Sequence, residues 1–203
     1  MGNDRIDQSQ SKSKQHVETS SLNAFNRRNF LKIGLITAIA SSSPCKVYAS
    51  FEDYFCSKRT LSLYNTHTQE NLKAVYWSED QYLPDALESI NHILRDHRNG
   101  KTKDIDKGLL NLLYRINLNI KYCKSFHIIS GYRSPETNDY LRRRSRGVAQ
   151  RSLHLTGQAA DIRIPGCQLS YLRDVSRKLK AGGVGYYPSS NFVHVDTGRV
   201  RYW

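Results

Sequence analysis

Gly182-Gly183-Val184-Gly185-Tyr186-Tyr187-Pro188-Ser189-Ser190-Asn191-Phe192-Val193-His194-Val195-Asp196 reads as two short strands, 184–187 and 191–196, folded back around Pro188-Ser189-Ser190. Upstream, 159–164 is a third short strand, bounded by Gly157 and by Pro165-Gly166. Between them Leu169, Leu172, Val175 and Leu179 recur at helical spacing, and Gly182-Gly183 is expected to close that helix. Further back, 125–130 is an apolar strand running into Gly131-Tyr132-Arg133, and Pro135 starts a short helix. Two longer amphipathic stretches precede it. One opens at Pro84 with Leu87, Ile90, Ile93 and Leu94 on one face and is expected to stop near Gly100; the other runs over 106–120. A hairpin, 60–64 with 72–77, begins the folded part. Helices ahead of strands with no internal repeat predict one α+β domain, its helices packed on a small, mainly antiparallel sheet.

The first 49 residues have another character. A polar stretch over 1–28 ends in Arg27-Arg28-Asn29-Phe30-Leu31-Lys32, then an apolar run, 33–40, and Val47-Tyr48-Ala49. The run is too short to span a bilayer, which takes roughly 20 residues. Basic flank, apolar run and small-residue cleavage site stand in the order of a secretory signal, and the arginine pair fits the twin-arginine type. The expectation is a signal peptide over 1–49, a mature domain over 50–203 in the periplasm, and no membrane anchor. Cys45 follows Ser-Ser-Pro and lacks a lipobox. Removal of the leader takes Cys45 away and leaves Cys56, Cys123 and Cys167, an odd set in which the sequence selects no disulfide.

The chain carries +13 overall; residues 50–203 hold 24 basic and 15 acidic residues, a net +9. Such a charge favours anionic partners, whether nucleic acid, anionic lipid heads or the carboxylates of wall peptides, and charge alone does not choose among them. Export and the lack of a reading motif exclude nucleic acid. A monomer is expected.

Chemistry concentrates in two places, Ser152-Leu153-His154-Leu155-Thr156-Gly157-Gln158-Ala159-Ala160-Asp161 and Phe192-Val193-His194-Val195-Asp196. Alternation along a strand puts His194 and Asp196 on one face, and Ala159 with Asp161 likewise. Two imidazoles and a carboxylate meeting at one point make a three-ligand Zn2+ site with a position left for water.

Ser152-x-His154-x-x-Gly157-x-Ala159-x-Asp161 resembles the zinc motif of the D-Ala-D-Ala metallopeptidases, a superfamily that includes lysostaphin-type enzymes and the hedgehog signalling domain. Ser130-Gly131-Tyr132-Arg133-Ser134 and the 182–198 tail resemble a narrower branch, the YcbK-like murein endopeptidases. The likeness covers nearly all of 50–203. It implies zinc bound by His154, Asp161 and His194, and hydrolysis of peptide cross-links in peptidoglycan. It also implies that Arg133 holds the scissile carbonyl as it becomes an oxyanion, or a substrate carboxylate, with a surface salt bridge as the alternative; Ser152 is read as hydrogen bonding near the metal. Many relatives in the wider superfamily carry an acidic base three residues before the last His; here that place is Asn191. Asp196 is the substitute candidate, either as general base or as a carboxylate that orients His194 or an arginine. A non-catalytic, zinc-binding wall module is the alternative to an enzyme. The bond cut is open among 3-3 links, 4-3 links and a terminal dipeptide.

Four further features carry weaker signals. His127 reads as a core histidine. Cys123 and Cys167 have no nucleophile context. Arginines 142–144 and 146 form a solvated face or a lure for anionic wall polymer, and Tyr132, Tyr186 and Tyr187 line a groove or pack the core.

Overall fold

The computed structural model describes residues 58–120, 125–145 and 147–203. All belong to the second of two units of the chain, Tyr54–Trp203. The export signal, Cys45, Cys56, Cys123 and Arg146 lie outside the described residues.

Among the described residues eight strands form one mixed sheet: β1 (Lys58–Asn65), β2 (Asn71–Ser78), β3 (Gln81–Tyr82), β4 (Phe126–Ser130), β5 (Ala159–Arg163), β6 (Gly183–Tyr187), β7 (Phe192–Asp196) and β8 (Arg201–Tyr202). Their order is β3-β2-β1-β4-β5-β7-β6-β8. Neighbours are antiparallel except β1/β4 and β6/β8. The α+β architecture is as expected, but the sheet is not small. The N-terminal hairpin joins the C-terminal strands through the parallel β1/β4 ladder, a long-range pairing with no local sequence signal.

Among the described residues four helices accompany the sheet: α1 (Pro84–Ile93), α2 (Lys107–Asn119), α3 (Pro135–Arg144) and α4 (Leu169–Lys178). Every second strand residue, Leu61 and Leu63, Phe126 and Ile128, Ala160 and Ile162, Val193 and Val195, enters one core. That core also holds Ile90 and Ile93 of α1, Leu109, Leu110, Leu113 and Ile116 of α2, and Leu172 and Val175 of α4. These helices therefore cover one face of the sheet, and the other face is left for the polar residues in between. Each fully buried leucine contributes about 1.5–3 kcal/mol. No described helix is long and apolar enough to cross a membrane.

Caps account for where helices start. Pro84 and Pro135 sit at the first helical turn, where a missing N–H costs nothing. Ser134 Oγ accepts from the Thr137 amide at 3.2 Å and caps α3. Asp106 caps α2 by accepting from the Leu109 amide at 3.0 Å, and the same oxygen accepts from Thr197 Oγ1 at 3.0 Å. The Asp106 amide donates to the Gly157 carbonyl at 3.0 Å, so one residue ties α2 to the segment before β5 and to the end of β7.

Two helix ends differ from expectation. α1 stops at Ile93, well short of Gly100, because the Leu94 carbonyl accepts from the Tyr132 amide at 2.7 Å and the chain turns away there. α4 ends before Gly182-Gly183, with Lys180 taking the positive φ of 49°. The two glycines serve closeness instead: a Cβ on Gly182 would overlap the Asp196 carbonyl, and one on Gly183 would lie 2.5 Å from Asp196 Oδ2.

Candidate metal centre and its cavity

The site is built where β5 and β7 lie side by side. Asp161 and His194 are direct register partners across that ladder, on the face away from the helices. His154 comes from the 3-10 turn Leu153–Thr156 just before β5. Ser152 Oγ accepts from the His154 amide at 3.3 Å and so fixes the turn's first residue. Gly157 leaves that turn at φ 70°, where a side chain would also press on the Asp104 carbonyl.

The three sequence-predicted ligands converge. His194 Nδ1 lies 2.9 Å from Asp161 Oδ1, and His154 Nε2 lies 3.3 Å from both. What each histidine does with its other nitrogen sets its chemistry. His154 Nδ1 is 2.7 Å from the Gly131 carbonyl, which can only accept, so the proton sits on Nδ1 and the lone pair on Nε2. His194 Nε2 is 3.0 Å from Asp196 Oδ2, so its proton sits there and the lone pair on Nδ1. Two imidazole lone pairs and a carboxylate oxygen thus face one point. They repel one another unless a cation or proton lies between them. Bonds of about 2.0–2.2 Å at tetrahedral angles separate zinc ligands by about 3.3–3.6 Å; the two separations from His154 match that spacing, and the Asp161–His194 pair at 2.9 Å would open slightly to take the ion.

Electrostatics agree. Burial opposes charge on Asp161, but His154 and His194 hold its pKa well below the carboxylate range. Burial works against protonating His194 too, yet the Asp161 and Asp196 carboxylates beside it favour positive charge there and raise its pKa.

Asp196 is fully buried behind His194. Its Oδ2 accepts from His194 and from Arg201 Nη2 at 2.7 Å; its Oδ1 accepts from the Gly183 and Gly198 amides and Arg201 Nη1 at 3.0, 2.9 and 3.1 Å. With both oxygens engaged and no side toward the cavity, the general-base reading of Asp196 finds no support in this geometry; the orienting one does. Asn191 is exposed and takes φ 54° at the turn into β7, a conformation asparagine tolerates well. Turn chemistry therefore accounts for the residue at that position.

Arg133 borders the same cavity. Its backbone amide donates to the His154 carbonyl at 3.1 Å, which couples its loop to the ligand turn. The side chain is held loosely: Nη1 is 3.5 Å from Asn138 Oδ1, Nη2 is 3.5 Å from Ser130 Oγ and 3.9 Å from Asp161 Oδ2, and Nε is buried without an acceptor. Burial lowers its pKa, with Asp161 opposing. A guanidinium this poorly satisfied has hydrogen bonds left for something in the cavity.

The cavity has a volume of about 540 Å3. Besides these residues, Arg151, Tyr187, Phe192, Arg201 and Trp203 border it. Tyr187 and Phe192 stack at 4.6 Å, Trp203 Nε1 donates to Tyr187 Oη at 2.7 Å, and the Trp203 ring lies 5.4 Å from His194. The sequence reading singled out Tyr187 and missed Arg151, Arg201 and Trp203. Tyr132 packs in the core, and Tyr186 belongs to the opposite face. His127 packs against Tyr64, with ring centroids 4.7 Å apart, and takes no part in the cluster. Cys167 is partly buried and outside the cavity. Arg142–Arg144 finish α3 in solvent.

A family model described as peptidoglycan L,D-endopeptidase MepK matches residues 54–203. The peptidoglycan L,D-endopeptidases MepK of Escherichia coli K12 and Shigella flexneri are each 44% identical over 178 residues, covering 88% of this chain and 97% of the relative. A relative from Haemophilus influenzae is 37% identical over 179 residues, covering 88% and 95%. No solved structure matches the chain.

Proposed function

The chain belongs to the peptidase family described as peptidoglycan L,D-endopeptidase MepK, and from that membership we propose that it is a zinc-dependent enzyme cutting the peptide cross-links of murein. Endopeptidase action on peptidoglycan follows from the family and its relatives. The single observation that supports the metal is the convergence of the lone pairs of His154 Nε2 and His194 Nδ1 on Asp161 Oδ1. These three residues would hold the zinc. When bound, it supplies Lewis acidity and a hydroxide nucleophile near neutral pH.

The residues around it divide the remaining work. Asp196 holds the Nε2 proton of His194, keeps the ring from turning and raises the basicity of Nδ1. The Gly131 carbonyl does the same for His154. Arg133, short of acceptors, binds the scissile carbonyl oxygen as charge gathers on it. Tyr187, Phe192 and Trp203 wall the cavity and keep bulk water from the reacting bond. Because the relatives are L,D-endopeptidases, the 3-3 link is the preferred substrate. Its amide joins an L-centre carbonyl to a D-centre amine, whereas the 4-3 link joins two D-centres.

Mass spectrometry of purified cross-linked muropeptides after incubation tests this reading. Loss of 3-3 dimers that stops with a chelator and returns with zinc supports it; intact dimers under all conditions refute it. His154→Ala is expected to lower zinc content with activity, and full zinc occupancy in that variant removes His154 from the site. Export through the twin-arginine pathway to the periplasm belongs to the same proposal. Arg27→Lys/Arg28→Lys should leave precursor in the cytoplasm, and normal delivery of that variant refutes the route.

A further inference from the structure

A second cavity, of about 320 Å3, opens on the helix-covered side of the sheet at its β8 edge, bordered by Arg173, Arg177, Val184, Tyr186, Tyr202 and Trp203. Val184 and Tyr186 alternate with Gly185 and Tyr187 along β6, and Gly185 is the register partner of His194. The two cavities therefore lie on opposite faces of the sheet, and Trp203 borders both.

The arginines here differ from ordinary surface arginines. Arg173 and Arg177 are one turn apart on α4, and each guanidinium lies 4.6 Å above a tyrosine ring, Tyr186 and Tyr202 respectively. Tyr202 is itself fixed, its hydroxyl donating to the Arg177 carbonyl at 3.2 Å. Arg173 uses Nε on Asp174 at 2.8 Å, and its two terminal nitrogens have no acceptor among the described residues. The Arg177 side chain has none at all among them. Two forks held by aromatic rings, with their terminal N–H groups unspent, suit planar anions that accept two parallel hydrogen bonds.

We propose that this cavity is a second binding site for the wall polymer, taking a carboxylate of a stem peptide next to the bond being cut. The inference rests on the murein reading above and extends it. A cross-linked polymer offers many carboxylates on one tethered chain, so a second contact raises the local concentration of cleavable links without touching the chemistry. The Trp203 indole, half-exposed between the cavities, is the surface over which the polymer crosses the sheet edge.

The test uses the mature protein carrying Arg173→Gln/Arg177→Gln, with purified sacculi and a soluble cross-linked dimer as probes. Pelleting with sacculi in the presence of chelator measures binding apart from cleavage. The expected result is about tenfold weaker sacculus binding, the worth of one to two charge-assisted contacts, with dimer hydrolysis within twofold of wild type. Sacculi whose carboxylates have been amidated should bind wild type as weakly as native sacculi bind the variant. An Arg173→Lys/Arg177→Lys pair, which keeps the charge, should retain part of the affinity. Unchanged sacculus binding, a parallel loss of dimer hydrolysis, or a Lys pair as tight as wild type would each overturn the site. Loss of binding to phosphatidylglycerol vesicles with sacculus binding intact overturns it too, in favour of a lipid phosphate. If wild type fails to cut the dimer with zinc, the murein reading falls, and the binding arm separately decides whether the cavity takes wall carboxylates.

Discussion

Replacing Asp196 by asparagine separates two roles a carboxylate can have beside a metal ligand. The side chain accepts five hydrogen bonds, three at Oδ1 and two at Oδ2. An asparagine amide must put its NH2 at one of these oxygens. At Oδ2 it confronts the Nε2 proton of His194 and Arg201 Nη2; at Oδ1 it confronts two backbone amides and Arg201 Nη1. Either way at least two bonds are lost and the Arg201 charge loses its partner inside the protein. Arg201 borders the cavity and stays partly hydrated, so the cost falls below that of a fully buried pair, on the order of 1–3 kcal/mol. In the orientation that loses fewer bonds, with the NH2 at the Oδ2 place, the His194 ring also loses the acceptor that fixes its tautomer, which weakens metal binding on the order of 10–100-fold. Chelator competition measures the zinc affinity, thermal melting the stability, and turnover at saturating zinc the chemistry. Expected are a lower Tm, weaker zinc binding, and turnover within tenfold of wild type once zinc is saturating. Zinc affinity within twofold of wild type, with turnover down 10²–10⁴-fold, would refute the argument and make Asp196 the proton acceptor after all.

Three other substitutions bear on the same picture. Arg133→Gln should cut kcat by about 10²–10³-fold, the cost of losing one oxyanion donor, while zinc content and Tm hold, since its buried Nε satisfies nothing in the fold; a parallel fall in zinc content counts against that role. Asn191→Asp should leave dimer hydrolysis within twofold, because the residue is exposed and does not border the cavity; a large gain would show that a carboxylate there reaches the reaction. His97 stacks on His67 at 3.7 Å, and burial, together with His67 and Arg98, lowers its pKa to about 4. The unfolded chain therefore takes a proton at about pH 6.5 that the fold resists until about pH 4, so stability falls as pH drops through that window. His97→Gln should flatten the decline by about 1 kcal/mol after allowance for solvent screening, read from urea midpoints at pH 7 and pH 4.5; an unchanged slope refutes the assignment.

The candidate metal cluster was legible through a family resemblance carried by two short segments, which name His154, Asp161 and His194, and strand alternation puts Asp161 and His194 on definite faces. The α+β class was legible because its patterns are local. What escaped depends on chain segments far apart. Nothing near 58–65 announces a parallel partner at 126–130, and β8 is two residues long. Gly182-Gly183 resembled a helix stop because glycine serves both φ > 0 and close approach. The sequence does not reveal that the Asp196 carboxylate would press against these glycines. Trp203 reaches the cavity by pairing its backbone with Val184 and Tyr186 beyond β8, a placement its neighbours in sequence do not signal.

Asp106 gives the molecule a property of a different kind. It caps α2, bonds Thr197 just after β7 and reaches the Gly157 carbonyl just before β5, while the Thr197 amide donates to the Gln158 carbonyl at 3.1 Å. The two segments that carry Asp161 and His194 are thus latched to the same helix end. Neither can open without releasing that latch, so the first turn of α2 and the roots of both ligand strands form one cooperative unit in native-state hydrogen exchange. A fluctuation that spares this helix end is then expected to leave the pairing of Asp161 with His194 whole.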